Sequence, residues 1–93
     1  MAAYVYMLRC GDGSLYTGWT NNVQHRLAMH QQGRGAKYTR GRGPLVLVYT
    51  EELPDKTAAL RREAAVKKLS HAAKIALCSA YEQAQRQQLQ NLP

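Results

Sequence analysis

Residues 4–20 read YVYMLRCGDGSLYTGWT, which is two runs of strand-forming residues on either side of a glycine-rich spacer at residues 11–13. Such a spacer between two strand-like runs is the usual signature of a β-hairpin. The length of the hairpin loop determines which side chains share a face of the sheet.

Two loop lengths would arrange the tyrosines of the hairpin in opposite ways. A three-residue loop with Gly13 in the left-handed conformation pairs Tyr6 with Gly18 and Leu8 with Tyr16, so that both tyrosines point to one side. A two-residue loop would place them on opposite faces. We predict the three-residue loop because it collects the apolar side chains of both strands on the other face. These are Val5, Met7, Leu15 and Trp19.

The remainder of the chain predicts one further strand and three helices. The first helix spans 23–32 after the capping residues 20–22, and the second spans 54–69. Ser70 can cap a third helix. Residues 45–50 form a nearly continuous apolar run, which we interpret as a buried strand. A glycine-rich basic loop at 33–44, expected to be flexible, precedes that strand.

This order predicts an α+β domain with a small three-stranded antiparallel sheet flanked by three helices. The order along the chain is strand, strand, helix, strand, helix, helix. We assign residues 1–82 to this domain and residues 83–93, which are rich in glutamine, to a C-terminal tail.

The distribution of charge indicates a polyanionic partner. The chain has 13 lysines and arginines against 6 aspartates and glutamates, a formal net charge of +7. No acidic residue lies between Asp12 and Glu51, and a basic stretch without acids produces a local positive potential that suits a phosphate backbone. Solubility alone is the alternative explanation. The basic residues of this stretch are Arg26, Arg34, Lys37, Arg40 and Arg42.

Several classes of protein and of site are disfavoured. No apolar run approaches the roughly 18 residues that cross a bilayer, and the N-terminus has no basic or cleavable apolar segment. We therefore expect a cytoplasmic protein without a membrane partner. Cys10 and Cys78 have no metal-ligand spacing, so we interpret them as reduced thiols. No Walker motif and no carboxylate cluster for two metals is present.

Arg26 and His30 are four residues apart on the first helix, so they lie one turn above each other on the same side. They flank the stripe of Val23 and Leu27, which must face the sheet. We therefore expect Arg26 and His30 at the edge of the sheet surface, although polar pairs at this spacing are also commonly solvated.

Glu63 is an acidic residue whose position needs an explanation. The helical wheel places it on the inward side of the second helix, and a buried carboxylate is costly unless a cation or a metal compensates it. The alternative is an ordinary ion pair with Lys67 at i,i+4. The residues that define the inward side in this wheel are Ala59, Leu60, Ala64 and Val66.

Taken together, these elements resemble the GIY-YIG nuclease superfamily. Its two signatures correspond to residues 4–6 and 16–18, its first helix matches through Arg26 and His30, and its second helix matches through Glu63. Residues 35–49 are similar to the small stand-alone bacterial branch, the YhbQ-like proteins. The chain is also similar to the catalytic domain of structure-specific nucleases that cut branched DNA. The match covers about residues 4–75.

The resemblance implies an endonuclease that hydrolyses phosphodiester bonds in DNA, with RNA as an open alternative. It implies that Glu63 binds one Mg²⁺ or Mn²⁺ ion and that Tyr16 is the general base, with Tyr6 orienting or assisting it. Arg26 would steady the transition state, and His30 would hydrogen-bond a tyrosine or relay its proton. The loop residues that would hold the nucleic-acid backbone are Arg34, Lys37, Arg40 and Arg42.

The resemblance further implies a structure-selective enzyme that acts on branched, flap or damaged DNA, as in repair or recombination, and it is compatible with a monomer. Two positions depart from the family pattern. Tyr4 replaces the glycine of the first signature, and the helix that should carry a late asparagine offers Ser70, His71 and Cys78 instead. A non-catalytic nucleic-acid-binding module that keeps the fold is the alternative function.

Overall fold

The computed structural model describes residues 2–90. Its three strands form one antiparallel sheet in the order β2-β1-β3. The α+β class and the order of the elements are confirmed. The elements are β1 (Ala3–Arg9), β2 (Leu15–Thr20), α1 (Val23–Gln31), a 3₁₀ turn (Lys37–Thr39), β3 (Val46–Leu53), α2 (Lys56–Lys67) and α3 (His71–Gln90).

The hairpin of β1 and β2 has the predicted three-residue loop. The backbone N–H of Cys10 donates to the carbonyl of Ser14 at 2.9 Å and closes the loop around residues 11–13. Gly13 has a φ of 85°, a conformation that L side chains rarely adopt. The glycine is therefore required at this position for the register that follows.

The register gives the two faces of the sheet different roles. Tyr6 pairs with Gly18 and Leu8 pairs with Tyr16, so Tyr6 and Tyr16 share one face, as predicted. The opposite face carries the main core, against which α2 and α3 pack. Its buried members are Ala3, Val5, Met7, Tyr49, Ala59 and Val66, with Trp19, Leu77 and Tyr81 partly buried beside them.

The third strand differs from its prediction in length and burial. It spans Val46–Leu53 and lies at an edge of the sheet, where Tyr49 is its buried residue and Val46 is exposed. The prediction of a buried strand was therefore wrong. A short apolar run does not distinguish a central strand from an edge strand.

All three helices begin at residues that cap them. The side-chain oxygens of Asn22, Asp55 and Ser70 accept hydrogen bonds from the backbone N–H three residues later, at 3.0, 2.8 and 3.1 Å. The last helix, α3, continues into the segment predicted as a glutamine-rich tail and reaches Gln90, whereas residues 91–93 lie outside the described residues. Within residues 2–90 no helix has both the length and the apolarity needed to span a membrane.

Candidate functional site

Three aromatic rings meet on the face of the sheet opposite the main core. Tyr6 comes from β1, Tyr16 from β2 and His30 from the last turn of α1. The ring centroids are 6.3 Å apart for the two tyrosines, 5.8 Å for Tyr6 and His30, and 5.2 Å for Tyr16 and His30. Side chains from three different elements thus converge on one place, which we call the ring cluster.

Tyr6 is the innermost member of the ring cluster. It is 2% exposed, and its Oη lies 2.7 Å from Nε2 of His30. Burial raises the pKa of Tyr6 to about 12, the nearby Arg26 guanidinium lowers it, and the charges of Tyr16 and Glu63 raise it. The phenol therefore keeps its proton at neutral pH.

His30 is the buried residue of α1, with 1% of its surface exposed. Desolvation lowers the pKa of His30, and the positive charge of Arg26 lowers it further, so the imidazole is neutral near pH 7. Its Nδ1 lies 2.9 Å from Oγ1 of Thr39, a buried residue of the 3₁₀ turn. The basic loop, which was expected to be flexible, therefore has a buried contact with the ring cluster through Thr39.

The charges of Arg26 and Glu63 act on Tyr6 in opposite directions: the guanidinium lowers the pKa of the phenol, and the carboxylate raises it. The side chain of Glu63 is 17% exposed, so it does not project into bulk solvent. Its Oε2 is 3.6 Å from Nζ of Lys67, the ion pair that was the alternative explanation for this residue. Glu63 thus lies inward and is paired at the same time.

The inward side of α2 differs from the helical-wheel prediction. Ala59 and Val66 are buried, but Leu60 and Ala64 are exposed. Arg62, which is not among the residues that define the inward side in the wheel, is half-buried, and its Nε donates to a carboxylate oxygen of Glu51 on β3 at 2.9 Å. The positions that face the sheet are 59, 62, 63 and 66, the i, i+3, i+4, i+7 pattern of an amphipathic helix.

The metal-ligating side chains available at Glu63 determine what kind of metal could bind there. Within residues 2–90 no group of three or more His, Cys, Asp and Glu side chains forms a metal cluster. Mg²⁺ is commonly held by one or two carboxylates, with water and substrate phosphates completing its shell. Glu63 therefore fits a divalent ion that is shared with a phosphate, and it does not fit a closed cage of protein ligands.

Tyr38 extends the ring cluster toward solvent. Its ring is 5.8 Å from that of Tyr16, tilted by 31°, and the residue is 42% exposed. The guanidinium carbon of Arg42 lies 4.4 Å from the Tyr38 centroid, and Nη1 of Arg42 is 2.6 Å from a carboxylate oxygen of Asp12. The hairpin loop thereby anchors an arginine that holds an exposed aromatic ring in place.

The four basic residues predicted to hold a nucleic-acid backbone have two different environments. Arg34, Lys37 and Arg40 are exposed. Arg42 is half-buried and engaged with Asp12 and Tyr38, so in this structure it supports the loop.

Two glycines allow the rings to approach the backbone closely. A Cβ at Gly18 would lie 2.7 Å from Oη of Tyr6, and a Cβ at Gly35 would overlap Nδ1 of His30. Gly18 belongs to the second signature, whereas Gly35 lies in the basic loop next to the 3₁₀ turn. Both positions therefore need a residue without a side chain.

Comparison with known proteins agrees with this arrangement. A family model described as the GIY-YIG catalytic domain matches residues 2–76. The chain belongs to the GIY-YIG family. Its relatives include a UPF0213 protein of Streptococcus sanguinis, 60% identical over 74 residues that cover 80% of this chain and 85% of that protein. A UPF0213 protein of Oceanobacillus iheyensis is 51% identical over 80 residues, covering 86% of this chain and 93% of that protein.

Two solved structures resemble this GIY-YIG domain. The solution NMR structure of a UPF0213 protein from Bacillus halodurans has a TM-score of 0.56 at 52% identity, covering 86% of this chain and 85% of that one. The NMR structure of a protein from E. faecalis has a TM-score of 0.60 at 37% identity, covering 88% of both chains. Membership of the small stand-alone branch, the YhbQ-like proteins, is thereby confirmed. The family implies a nuclease-type domain with a nucleic-acid substrate.

Sequence reasoning missed part of this GIY-YIG site. Thr39 and Gly35 were not singled out, and Tyr38 could be only an ordinary loop residue on the evidence of the sequence. The loop that contains them has no periodicity from which burial can be inferred. The sequence offers two signals for this loop. Residues 35–49 are similar to the YhbQ-like branch, and glycine, threonine and tyrosine interrupt the run of basic residues.

Proposed function

We propose that this GIY-YIG domain is a metal-dependent endonuclease that hydrolyses phosphodiester bonds in DNA and selects branched, flap or damaged structures. The supporting observation is the convergence of Tyr6, Tyr16 and His30, with the charges of Arg26 and Glu63 acting on the innermost ring. This set offers a base, a cation for the phosphate and a carboxylate for a divalent ion. Metal-dependent phosphodiester hydrolysis can use each of these parts.

The two tyrosines have different roles in the proposed reaction. Tyr6 holds its proton, because burial raises its pKa to about 12. Tyr16 is half-buried between His30 and the exposed Tyr38, so water and a phosphate can reach it. Tyr16, the proposed general base, gives its own proton to solvent and then takes a proton from the attacking water while the water oxygen bonds to phosphorus and the bond to the leaving oxygen breaks. The leaving oxygen takes its proton from solvent.

In the proposed reaction, Arg26 and a divalent ion held by Glu63 stabilise the negative charge of the phosphate. The guanidinium of Arg26 neutralises the negative charge that develops on the phosphate oxygens. Glu63 would hold Mg²⁺ or Mn²⁺, and a bound ion supplies Lewis-acid stabilisation of the same charge. Lys67 competes for the carboxylate, but its side chain is exposed and its nitrogen is 3.6 Å away, so it can give up the contact.

The surface beside Tyr16 supports a substrate with unpaired nucleotides. Tyr38 offers an exposed ring next to the proposed base, and Lys37 and Arg40 flank it on the same loop. Unpaired bases stack on aromatic rings, whereas bases inside a duplex are not accessible for such stacking. A junction, flap or damaged site would bring an unpaired base close to the phosphate that is cut.

Cleavage assays on the full chain test the proposal. Flap, fork, duplex and single-stranded DNA, with RNA counterparts, are incubated with Mg²⁺, Mn²⁺ or EDTA. We expect nicking of branched DNA that requires metal, and a loss of at least about 100-fold in Glu63→Gln and Tyr16→Phe with binding in EDTA retained. Glu82→Gln is the matched control, because Glu82 is an exposed glutamate paired with Arg86 on α3.

The binding measurements separate the alternatives. Salt-sensitive binding without cleavage of any substrate in either metal would reject the enzyme and leave a nucleic-acid-binding module. An absence of binding even at low salt would reject both functions.

A further inference from the structure

The contacts of His30 determine which of its ring nitrogens carries the proton. Nε2 lies 2.7 Å from Oη of Tyr6, and Nδ1 lies 2.9 Å from Oγ1 of Thr39. The same threonine hydroxyl is 2.9 Å from the carbonyl oxygen of Ala36. Because a neutral imidazole has one N–H donor and one lone pair, these partners can be satisfied together in only a few ways.

Tyr6 requires an acceptor, and His30 provides it. The phenol is buried and protonated, and Nε2 is the acceptor that lies within hydrogen-bond distance of its hydroxyl among residues 2–90. The guanidinium of Arg26, which also acts on Tyr6, can only donate. A buried hydroxyl left without an acceptor is unfavourable. The O–H of Tyr6 therefore donates to Nε2, and the proton of the neutral His30 is on Nδ1.

The remaining contacts agree with this assignment. Nδ1–H donates to Oγ1 of Thr39, and the threonine O–H donates to the carbonyl of Ala36, so each donor has one acceptor. The opposite tautomer leaves the proton of Tyr6 without an acceptor and leaves two oxygens, of Thr39 and Ala36, 2.9 Å apart without a proton between them. One contact favours the opposite tautomer: the backbone N–H of Ala36 could donate to an unprotonated Nδ1. At 3.4 Å this contact is longer and weaker than the others.

We propose that Thr39 is a positioning residue that holds His30 in the Nδ1–H tautomer, with the lone pair of Nε2 directed at Tyr6. The importance of this for catalysis rests on the proposed nuclease function. Thr39 is in the 3₁₀ turn that also contains Lys37 and Tyr38. The Thr39 hydroxyl therefore connects the loop proposed to contact nucleic acid with the Nδ1 proton of His30, which lies beside the proposed base.

Nitrogen-15 NMR of the full chain, free of metal and substrate, tests the tautomer directly. We expect His30 to show a protonated Nδ1 and an unprotonated Nε2 between about pH 6.5 and 8, because burial and the charge of Arg26 lower the pKa of the imidazole. His25 and His71 are exposed and serve as internal references within the same spectrum. A wild-type protein with the proton of His30 on Nε2 would overturn the proposal, whatever its variants do.

Two substitutions test the role of the hydroxyl. Thr39→Val removes it at nearly constant shape and leaves Nδ1 with the backbone N–H of Ala36, a donor that requires a lone pair on Nδ1. We therefore expect the proton to move to Nε2 and kcat to fall by about 10- to 100-fold with little change in KM. Thr39→Ser should restore both the tautomer and kcat. A valine variant that keeps the wild-type tautomer would reject the role of Thr39. An Nδ1–H tautomer in a chain that cleaves nothing would support the assignment and reject only the nuclease function.

Discussion

Oη of Tyr6 and Nε2 of His30 are 2.7 Å apart, and both side chains are almost completely removed from solvent. Burial raises the pKa of the phenol to about 12 and lowers the pKa of the imidazole. The same desolvation therefore keeps both groups neutral at pH 7. The contact is a neutral hydrogen bond that joins the central strand to the last turn of α1.

Replacing Tyr6 with phenylalanine removes this hydrogen bond and leaves Nε2 of His30 without its donor. We expect a loss of about 1–3 kcal/mol in the free energy of unfolding, because the orphaned nitrogen stays buried. Urea denaturation followed by the fluorescence of Trp19 measures it. Tyr16→Phe is the control, since Tyr16 is half-buried and should lose less. Equal losses in the two variants would contradict the importance of the contact.

The sequence was sufficient to predict the pairing that brings the two tyrosines to one face. Side chains alternate along a strand, so one loop length and one apolar face determine the register between Tyr6 and Gly18. The cap residues could also be predicted, because capping is a local interaction within three residues. Both predictions depend on residues that are close together in the sequence or on the regular alternation of side chains along a strand.

The contacts that could not be predicted are those between distant and irregular segments. Leu60 is exposed, whereas Arg62 is half-buried and donates to Glu51 on β3, and a helical wheel contains no information about that strand. Thr39 is buried because the basic loop folds back on His30. No period in the loop sequence indicates this return.

The stability of the protein should depend on the protonation of His30. Burial lowers its pKa below the 6.5 of an unfolded chain, so the unfolded state binds more protons between the two values. The stabilisation is fully present above pH 6.5 and is lost as the pH falls below it toward the folded-state value. Thermal unfolding from about pH 7.5 to 5.5 should give a decreasing Tm.

Two histidine variants identify the source of this dependence. His30→Gln should flatten the decrease of Tm with pH, whereas His25→Gln should leave it unchanged, because His25 is exposed on the same helix. The prediction fails if both variants follow the wild-type curve.

Gly35 should not tolerate a side chain, because a Cβ there would overlap Nδ1 of His30. We expect Gly35→Ala to reduce the free energy of unfolding by about 1–3 kcal/mol, the range for overpacking of a close contact. Gly43→Ala is the matched control, since a Cβ at Gly43 has no neighbour within 4 Å among the described residues. Chemical denaturation compares them, and a Gly35 variant as stable as the control would show that the loop can move away from His30.

Tyr38 should determine the preference for unpaired nucleotides, because its exposed ring adjoins Tyr16 and is held by Arg42. We expect Tyr38→Ala to weaken binding of flap or single-stranded DNA by about 5- to 100-fold, the value of one base stacked on an aromatic ring, while duplex affinity changes little. Tyr38→Trp should retain the preference. Fluorescence of 2-aminopurine placed beside the junction, recorded in EDTA, measures stacking without cleavage. Tyr4→Ala removes a tyrosine that hydrogen-bonds Glu52 on β3 and is the control. An equal loss of flap and duplex binding in Tyr38→Ala would make the ring a general surface contact and would remove the structural basis for substrate selection.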